Sequence, residues 1–330
     1  MLSLFFAPLL FNIVLMKLAL KIDVDTYRGT REGVPRLVDL LQKHQADATF
    51  LFSLGPDHTG RAIKRVFRPG FMKKVSRTSV VGHYGFKTLM YGTLLPGPDI
   101  GKRCASIMRT VRDSGFEVGI HCYDHIEWQD HVAAQNAEWT RCQLMLARDR
   151  FENIFGEKAK THGAAGWQTN IHALRLEQRW GFDYCSDTRG TGPFIPIWRA
   201  EIINCPQLPT TLPTLDELLG VHGIGVENIA PHLLKLSESP PPTGHVYTLH
   251  AELEGMKLAD VFETLLTGWK KQGYELVSLA KYQENLNRDT LPRHEVIFRE
   301  IPGRSGTLAL QGEEFLAQSK SGHPLGGNIT

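Results

Sequence analysis

Leu18-Ala19-Leu20-Lys21-Ile22-Asp23-Val24, running on into Asp25-Thr26, is the stretch on which the fold turns. It is a short β-type run that ends abruptly in two carboxylates. Aspartates at i and i+2 of an extended chain point to the same face, so Asp23 and Asp25 both reach one place. Two neighbouring carboxylates do not both stay ionised cheaply unless a cation sits beside them. Taken alone, the pair also fits turn-forming acids ahead of a helix start at Thr30.

Outward from this run, Val34–Leu41 follows with apolar spacing of 3 and 4. Further strand candidates are 48–54, 116–120, 161–165, 182–186, 202–205, 246–249 and 275–279. Helical patterns intervene near 100–113, 138–155, 170–180, 227–236 and 258–271. Strand–helix alternation at this rhythm predicts an α/β protein with a parallel sheet, open or closed into a barrel. In such folds chemistry collects just past the C-terminal ends of the strands.

Three more strand ends carry suitable residues. Gly119-Ile120-His121-Cys122-Tyr123-Asp124-His125 places histidines at i and i+4, which lie on one face of a helical turn and can grip one divalent ion. Surface helices also carry such pairs by chance, but here the pair follows a strand and shares the chain with an Asp-x-Asp strand end. Two imidazoles and one carboxylate leave open positions on a metal, as catalytic sites require. Cys122 points away from the pair and reads as a packed thiol. Val246-Tyr247-Thr248-Leu249-His250-Ala251-Glu252 gives an apolar strand with a polar tip, where His250 is either a buried structural histidine or a proton donor or acceptor. Asp187 ends another strand and is a candidate partner for a histidine.

The composition is that of an ordinary globular chain: 330 residues, 42% hydrophobic and 22% charged. Disordered, collagen-like and coiled-coil classes are thereby excluded. Five scattered cysteines with no C-x-x-C pair argue for a reducing compartment rather than a disulfide framework. The net charge of +2 argues against a nucleic-acid partner. That total conceals an uneven distribution. Residues 58–98 contain eight Lys or Arg and no acid, against −6 over the rest of the chain. Arg61, Lys64, Arg65 and Arg68 head this basic insertion, with Ile63, Val66, Phe67, Phe71 and Met72 interleaved. Two short basic amphipathic segments suit a membrane interface, and no RNA motif accompanies the charge. A basic surface over ordinary core residues is the plainer alternative.

The ends read differently. Residues 1–16 form an uncharged apolar extension with Pro8 and Asn12 inside it. As a helix it spans roughly 24 Å, short of the roughly 30 Å hydrocarbon core. It reads either as a weak membrane contact or as sequence upstream of a start at Met16. Residues 303–330 read as a loose tail, which leaves 17–302 as a single domain.

Asp-x-Asp, then H-x-x-x-H, then Asp187 at a strand end, then Leu249-His250, in that order, resembles the NodB-type carbohydrate deacetylase family. The residues that carry the likeness are 22–37, 52–57, the pair at 121–125, 164–168, 184–190, 208–214 and 247–255. The resemblance implies a distorted (β/α) barrel and metal-dependent hydrolysis of a linear amide. Among the family's activities, these stretches are closest to removal of a formyl group from 4-deoxy-4-formamido-L-arabinose on undecaprenyl phosphate. That role implies an enzyme of lipid A modification, acting peripherally at the cytoplasmic leaflet of the inner membrane.

Carried over, the resemblance makes Asp23 the catalytic base and Asp25, His121 and His125 the metal ligands. His250 becomes the acid and Asp187 the residue that tunes it. The metal is zinc, manganese or cobalt. Trp167 and Glu252, with the four basic residues above, are candidates for substrate or membrane contact. The family's Arg-x-Pro motif, which orients the base, is replaced here by Ala164-Ala165-Gly166-Trp167, leaving Arg28, Arg31 or Arg189 to hold Asp23. Alternatives to the deformylase are a polysaccharide or peptidoglycan N-deacetylase and a non-catalytic carrier-lipid-binding protein.

Overall fold

From Leu18 to its end, every side chain of the first strand, β1 (Met16–Val24), is buried. A strand covered on both faces belongs in a parallel sheet wrapped by helices. The computed structural model describes residues 16–62 and 87–316. Most of the apolar extension, and most of the basic insertion with Lys64, Arg65 and Arg68, therefore lie outside the described residues.

Six further strands join β1: β2 (Thr49–Ser53), β3 (Glu117–Cys122), β4 (Thr161–His162), β5 (Tyr184–Cys185), β8 (His245–His250) and β9 (Tyr274–Val277). Their order is β5-β4-β3-β2-β1-β8, all parallel. On one edge of β1, β9 pairs Met16–Ala19 and β2 pairs Lys21–Val24. β8 runs along the other edge and sets Asp23 opposite His250. Between β5 and β8 the ring is completed by irregular chain. Leu208 N donates to Cys185 O at 2.8 Å, and Thr211 N to Val246 O at 2.9 Å. The result is a distorted (β/α) barrel, as expected, because one strand position is filled by a loop.

Helices close the outside where their sequences have starts and stops. Asn136 caps Ala137–Phe155 and Gly156 ends it at φ 72°. Asn170 caps Ile171–Trp180 and Gly181 ends it the same way. Val34, Leu37, Val38 and Leu41 form the buried stripe of Val34–Lys43. No helix among the described residues is long and apolar enough to cross a membrane.

A second sheet departs from the sequence reading. β6 (Ile195–Trp198), β7 (Glu201–Ile202), β10 (Arg293–Glu300) and β11 (Thr307–Glu314) pair in the order β11-β10-β6-β7. The stretch from Gly303 is accordingly no loose tail through Glu314. β11 pairs antiparallel with β10, buries Leu308 and Ala309, and accepts the Arg189 N–H at Ala309 O. The strand expected over 202–205 is mostly absent, only Ile202 being in β7.

Candidate active site

Each expected strand end delivers its residue to the C-terminal rim of the barrel. Asp25 follows β1, His121 lies in β3, and His125 is the first residue of the helix His125–His131. That helix begins where it does because Asp124 caps it, accepting from Glu127 N, while His58 Nδ1 holds the other Asp124 oxygen. Asp25 then sits between the two imidazoles. Its Oδ1 is 3.3 Å from His121 Nε2 and its Oδ2 is 3.4 Å from His125 Nε2.

The protonation of His121 follows from its other nitrogen. Nδ1 lies 2.6 Å from Gly163 O, and a carbonyl only accepts, so Nδ1 carries the hydrogen. In the neutral ring Nε2 therefore presents a lone pair toward Asp25 Oδ1, a buried oxygen with no hydrogen-bond partner among the described residues. Two facing acceptors need a cation between them. Ligand atoms around 2.0–2.2 Å from a divalent ion stand about 3.0–3.5 Å apart, so the spacing fits a metal held by Asp25, His121 and His125. Burial raises the Asp25 pKa, and positive charge at His125 and His121 opposes it, so a carboxylate here depends on a cation beside it.

Asp23, two residues earlier on the same face, has one oxygen 3.8 Å from His121 Nδ1. Its other oxygen lies 3.5 Å from Lys21 Nζ, which is the cation the structure places on it. Lys21 is fully buried, donates to Ser186 O at 3.0 Å, and stands 5.3 Å from the centre of the Trp167 ring. A Cβ at Gly163 would come within 3.0 Å of the Lys21 side chain, so the glycine leaves room for it. The sequence reading missed Lys21 and looked instead to three arginines. Arg28 and Arg31 pair with Glu32, and Arg189 with Glu217. The available signal was a lysine in an otherwise apolar strand, two residues before Asp23 and so on its face.

His250 is buried opposite Asp23, and its backbone N–H donates to Glu254 Oε2 at 2.9 Å. Among the described residues its Nδ1 finds no hydrogen-bond partner. Asp187 was expected to hold that imidazole, and its recorded partners are elsewhere. It accepts from Ala164 N and Gln207 Nε2, both at 2.8 Å, and pairs with His162 Nδ1 at 2.9 Å. Burial opposes charge on His162, but Asp187 and Glu177 overcome it and push its pKa up to about 10. Burial and Asp187 push Glu177 up to about 7.

Glu252 and Trp167 are each 1% exposed, which removes both from any membrane contact. Glu252 Oε1 accepts from Asp25 N at 3.1 Å and from Thr26 N and Thr26 Oγ1 at 2.8 Å. It thus latches the loop that carries Asp25. Trp167 lies under Lys21, Arg189 and Arg304 and donates to Thr210 Oγ1. Arg61 is half-buried and donates to Gly92 O at 3.2 Å.

Residues 18–185 match the polysaccharide deacetylase family model. A protein of Shewanella sediminis, named a probable 4-deoxy-4-formamido-L-arabinose-phosphoundecaprenol deformylase, is 39% identical over 92% of this chain and 98% of its own length. A protein of the same name from Wigglesworthia glossinidia brevipalpis is 31% identical over 86% of this chain and 98% of its own. A crystal structure from Mycobacterium smegmatis, assigned as a polysaccharide deacetylase, superposes with a TM-score of 0.59 at 15% identity, covering 87% of this chain and 95% of that one. At that identity the likeness concerns the fold alone.

Proposed function

The chain belongs to the polysaccharide deacetylase family, and from that premise we propose that it hydrolyses the formamide of 4-deoxy-4-formamido-L-arabinose linked to undecaprenyl phosphate. The products are formate and the free amino sugar. The substrate is that named for the two full-length relatives. The observation that carries the chemistry is the opposition of Asp23 and His250 across β1 and β8, beside a carboxylate held between two imidazoles.

An amide carbonyl is a poor electrophile and an amide anion a poor leaving group. A divalent cation held by Asp25, His121 and His125 supplies Lewis acidity to the carbonyl and to water. Asp23 takes a proton from the attacking water, and Lys21, 3.5 Å from that carboxylate, aims it. His250 delivers a proton to the sugar nitrogen as the C–N bond breaks, so the group leaves as a neutral amine. His121 is held in one tautomer by Gly163 O, which fixes the lone pair it offers. Zinc, manganese and cobalt all suit this donor set.

The substrate's lipid chain requires the enzyme to work at a membrane surface. The basic segment 58–98 supports peripheral docking there, and the five free thiols suit the reducing, cytoplasmic side. General acid–base groups typically contribute about 10²–10⁴-fold. Asp23→Asn and His250→Ala should each lower turnover by that order while metal, measured by atomic absorption, stays bound. An Asp23→Asn variant that deformylates normally would overturn the assignment of the base.

A further inference from the structure

Residues of the loop after β1 help to line a cleft of about 860 Å³ that the hydrolysis itself does not use. It begins at Tyr27, two residues past Asp25, whose N–H is fixed on Asp57 Oδ2 at 2.9 Å. Arg28, Arg31, Lys87, Lys102 and Arg103 all line it. Its two acids, Glu32 and Asp99, are already committed. Glu32 takes Arg28 Nε at 2.9 Å and Arg31 Nη2 at 2.8 Å. Asp99 takes Arg150 Nη1 and the backbone N–H of Lys102. Five cations face two acids, and for Lys87 and Arg103 the ion pairs among the described residues include no carboxylate. Such an excess in a concave wall concentrates positive potential on whatever enters. Tyr91, Leu95, Pro96 and Pro98 supply apolar parts of the lining.

A cleft lined by both apolar side chains and cations unpaired among the described residues has the chemistry of an amphiphilic anion. This inference rests on the deformylase reading, whose substrate is such a molecule. Its phosphodiester is attached at C1, across the pyranose ring from the formamide at C4. With the formyl group at Asp23, the phosphate falls one sugar away, and the prenyl chain leaves beyond it. We propose that this cleft is the subsite for the phosphodiester of the lipid-linked sugar, with Arg31 and Arg103 as its principal cations and the Leu95–Pro98 segment receiving the first isoprene units. Arg31 is already oriented, its guanidinium 5.5 Å from the centre of the Tyr27 ring. Guanidinium groups bind phosphate oxygens in pairs. The sugar is thereby selected by its anomeric anion, and a neutral glycoside with the same formamide is a poor substrate.

Two measurements on the full chain test this. In the first, farnesyl phosphate is titrated calorimetrically into wild type and into R31Q/R103Q, with farnesol as the neutral control. Wild type binds farnesyl phosphate at least tenfold more tightly than does the variant, and farnesol shows no such difference. Flotation on phosphatidylglycerol vesicles is the same for both proteins. Equal binding of farnesyl phosphate overturns the proposal. So does loss of flotation with farnesyl phosphate binding intact, because these cations would then read membrane headgroups.

In the second, kcat/KM is compared for the farnesyl-phosphate-linked formamido sugar and its neutral methyl glycoside. The variant loses at least tenfold on the former, mainly through KM, and is unchanged on the latter. An equal loss on both overturns the subsite. If wild type hydrolyses neither substrate yet the binding difference holds, the deformylase reading fails and the anion site stands.

Discussion

Lys21 shows how much one residue decides at this site. Its Nζ stands 3.5 Å from an Asp23 oxygen and fixes where that carboxylate points. Lys21→Met should therefore lower kcat by about tenfold, or ~1.4 kcal/mol, with KM and metal content little changed, and Lys21→Arg should recover part of the loss. A Lys21→Met enzyme of normal kcat would contradict this role. His162 gives a prediction of a different kind. Its folded pKa of about 10 lies above the ordinary 6.5, so the stability it contributes is full below pH 6.5 and is lost as pH rises through 10. Glu177, raised to about 7, acts over lower pH. The stability gap between wild type and His162→Gln, followed by thermal unfolding, should accordingly narrow from pH 7 to pH 10. A constant gap would mean that His162 is not charged in the fold. Asp23, Asp25, His121 and His125 were legible in the sequence because their relations are local, at spacings of two and four. The partners of Asp187 were not, because hydrogen bonds to His162 and Gln207 span 25 and 20 residues and depend on how strands pack.

At the scale of elements, the loop after β1 is held by a residue more than 220 positions away. Glu252 satisfies three donors of Asp25 and Thr26, and a Cβ at Gly29 would lie 1.9 Å from Glu252 Oε1. Glu252→Ala and Gly29→Ala disturb one latch from opposite sides. Both should weaken metal affinity by about 10–100-fold, the usual effect of losing a group that orients a ligand. Metal titration with a chromophoric chelator measures this, and unchanged affinity in both variants would refute the latch. The barrel strands were readable as apolar runs, since parallel strands are buried on both faces. β10 and β11 escaped because RHEVIFRE and TLALQGEE lie half-exposed with mixed polarity, and only their pairing makes them strands. The filled strand position between β5 and β8 was equally hidden, for its backbone bonds arise in irregular chain.

For the molecule as a whole, the sequence sets a basic segment over residues 58–98 against a net −6 elsewhere, and five cations line one cleft. Each Lys or Arg near an anionic surface contributes ~1 kcal/mol, so a cluster of four suffices for peripheral attachment. Changing Arg61, Lys64, Arg65 and Arg68 to Ser should abolish flotation on anionic liposomes while leaving hydrolysis of a soluble substrate intact. Equal flotation would sink the docking role. Formyl rather than acetyl specificity was not legible in the ligand spacing, which the family's deacetylases and deformylases have in common. The most direct test of the central claim is mass spectrometry of formylated and acetylated 4-amino-4-deoxy-arabinosyl lipid phosphates after incubation with metal-loaded protein. Loss of the formyl group alone, absent in Asp23→Asn, is the result predicted here. An intact formamide, or loss of acetyl at a comparable rate, would contradict it.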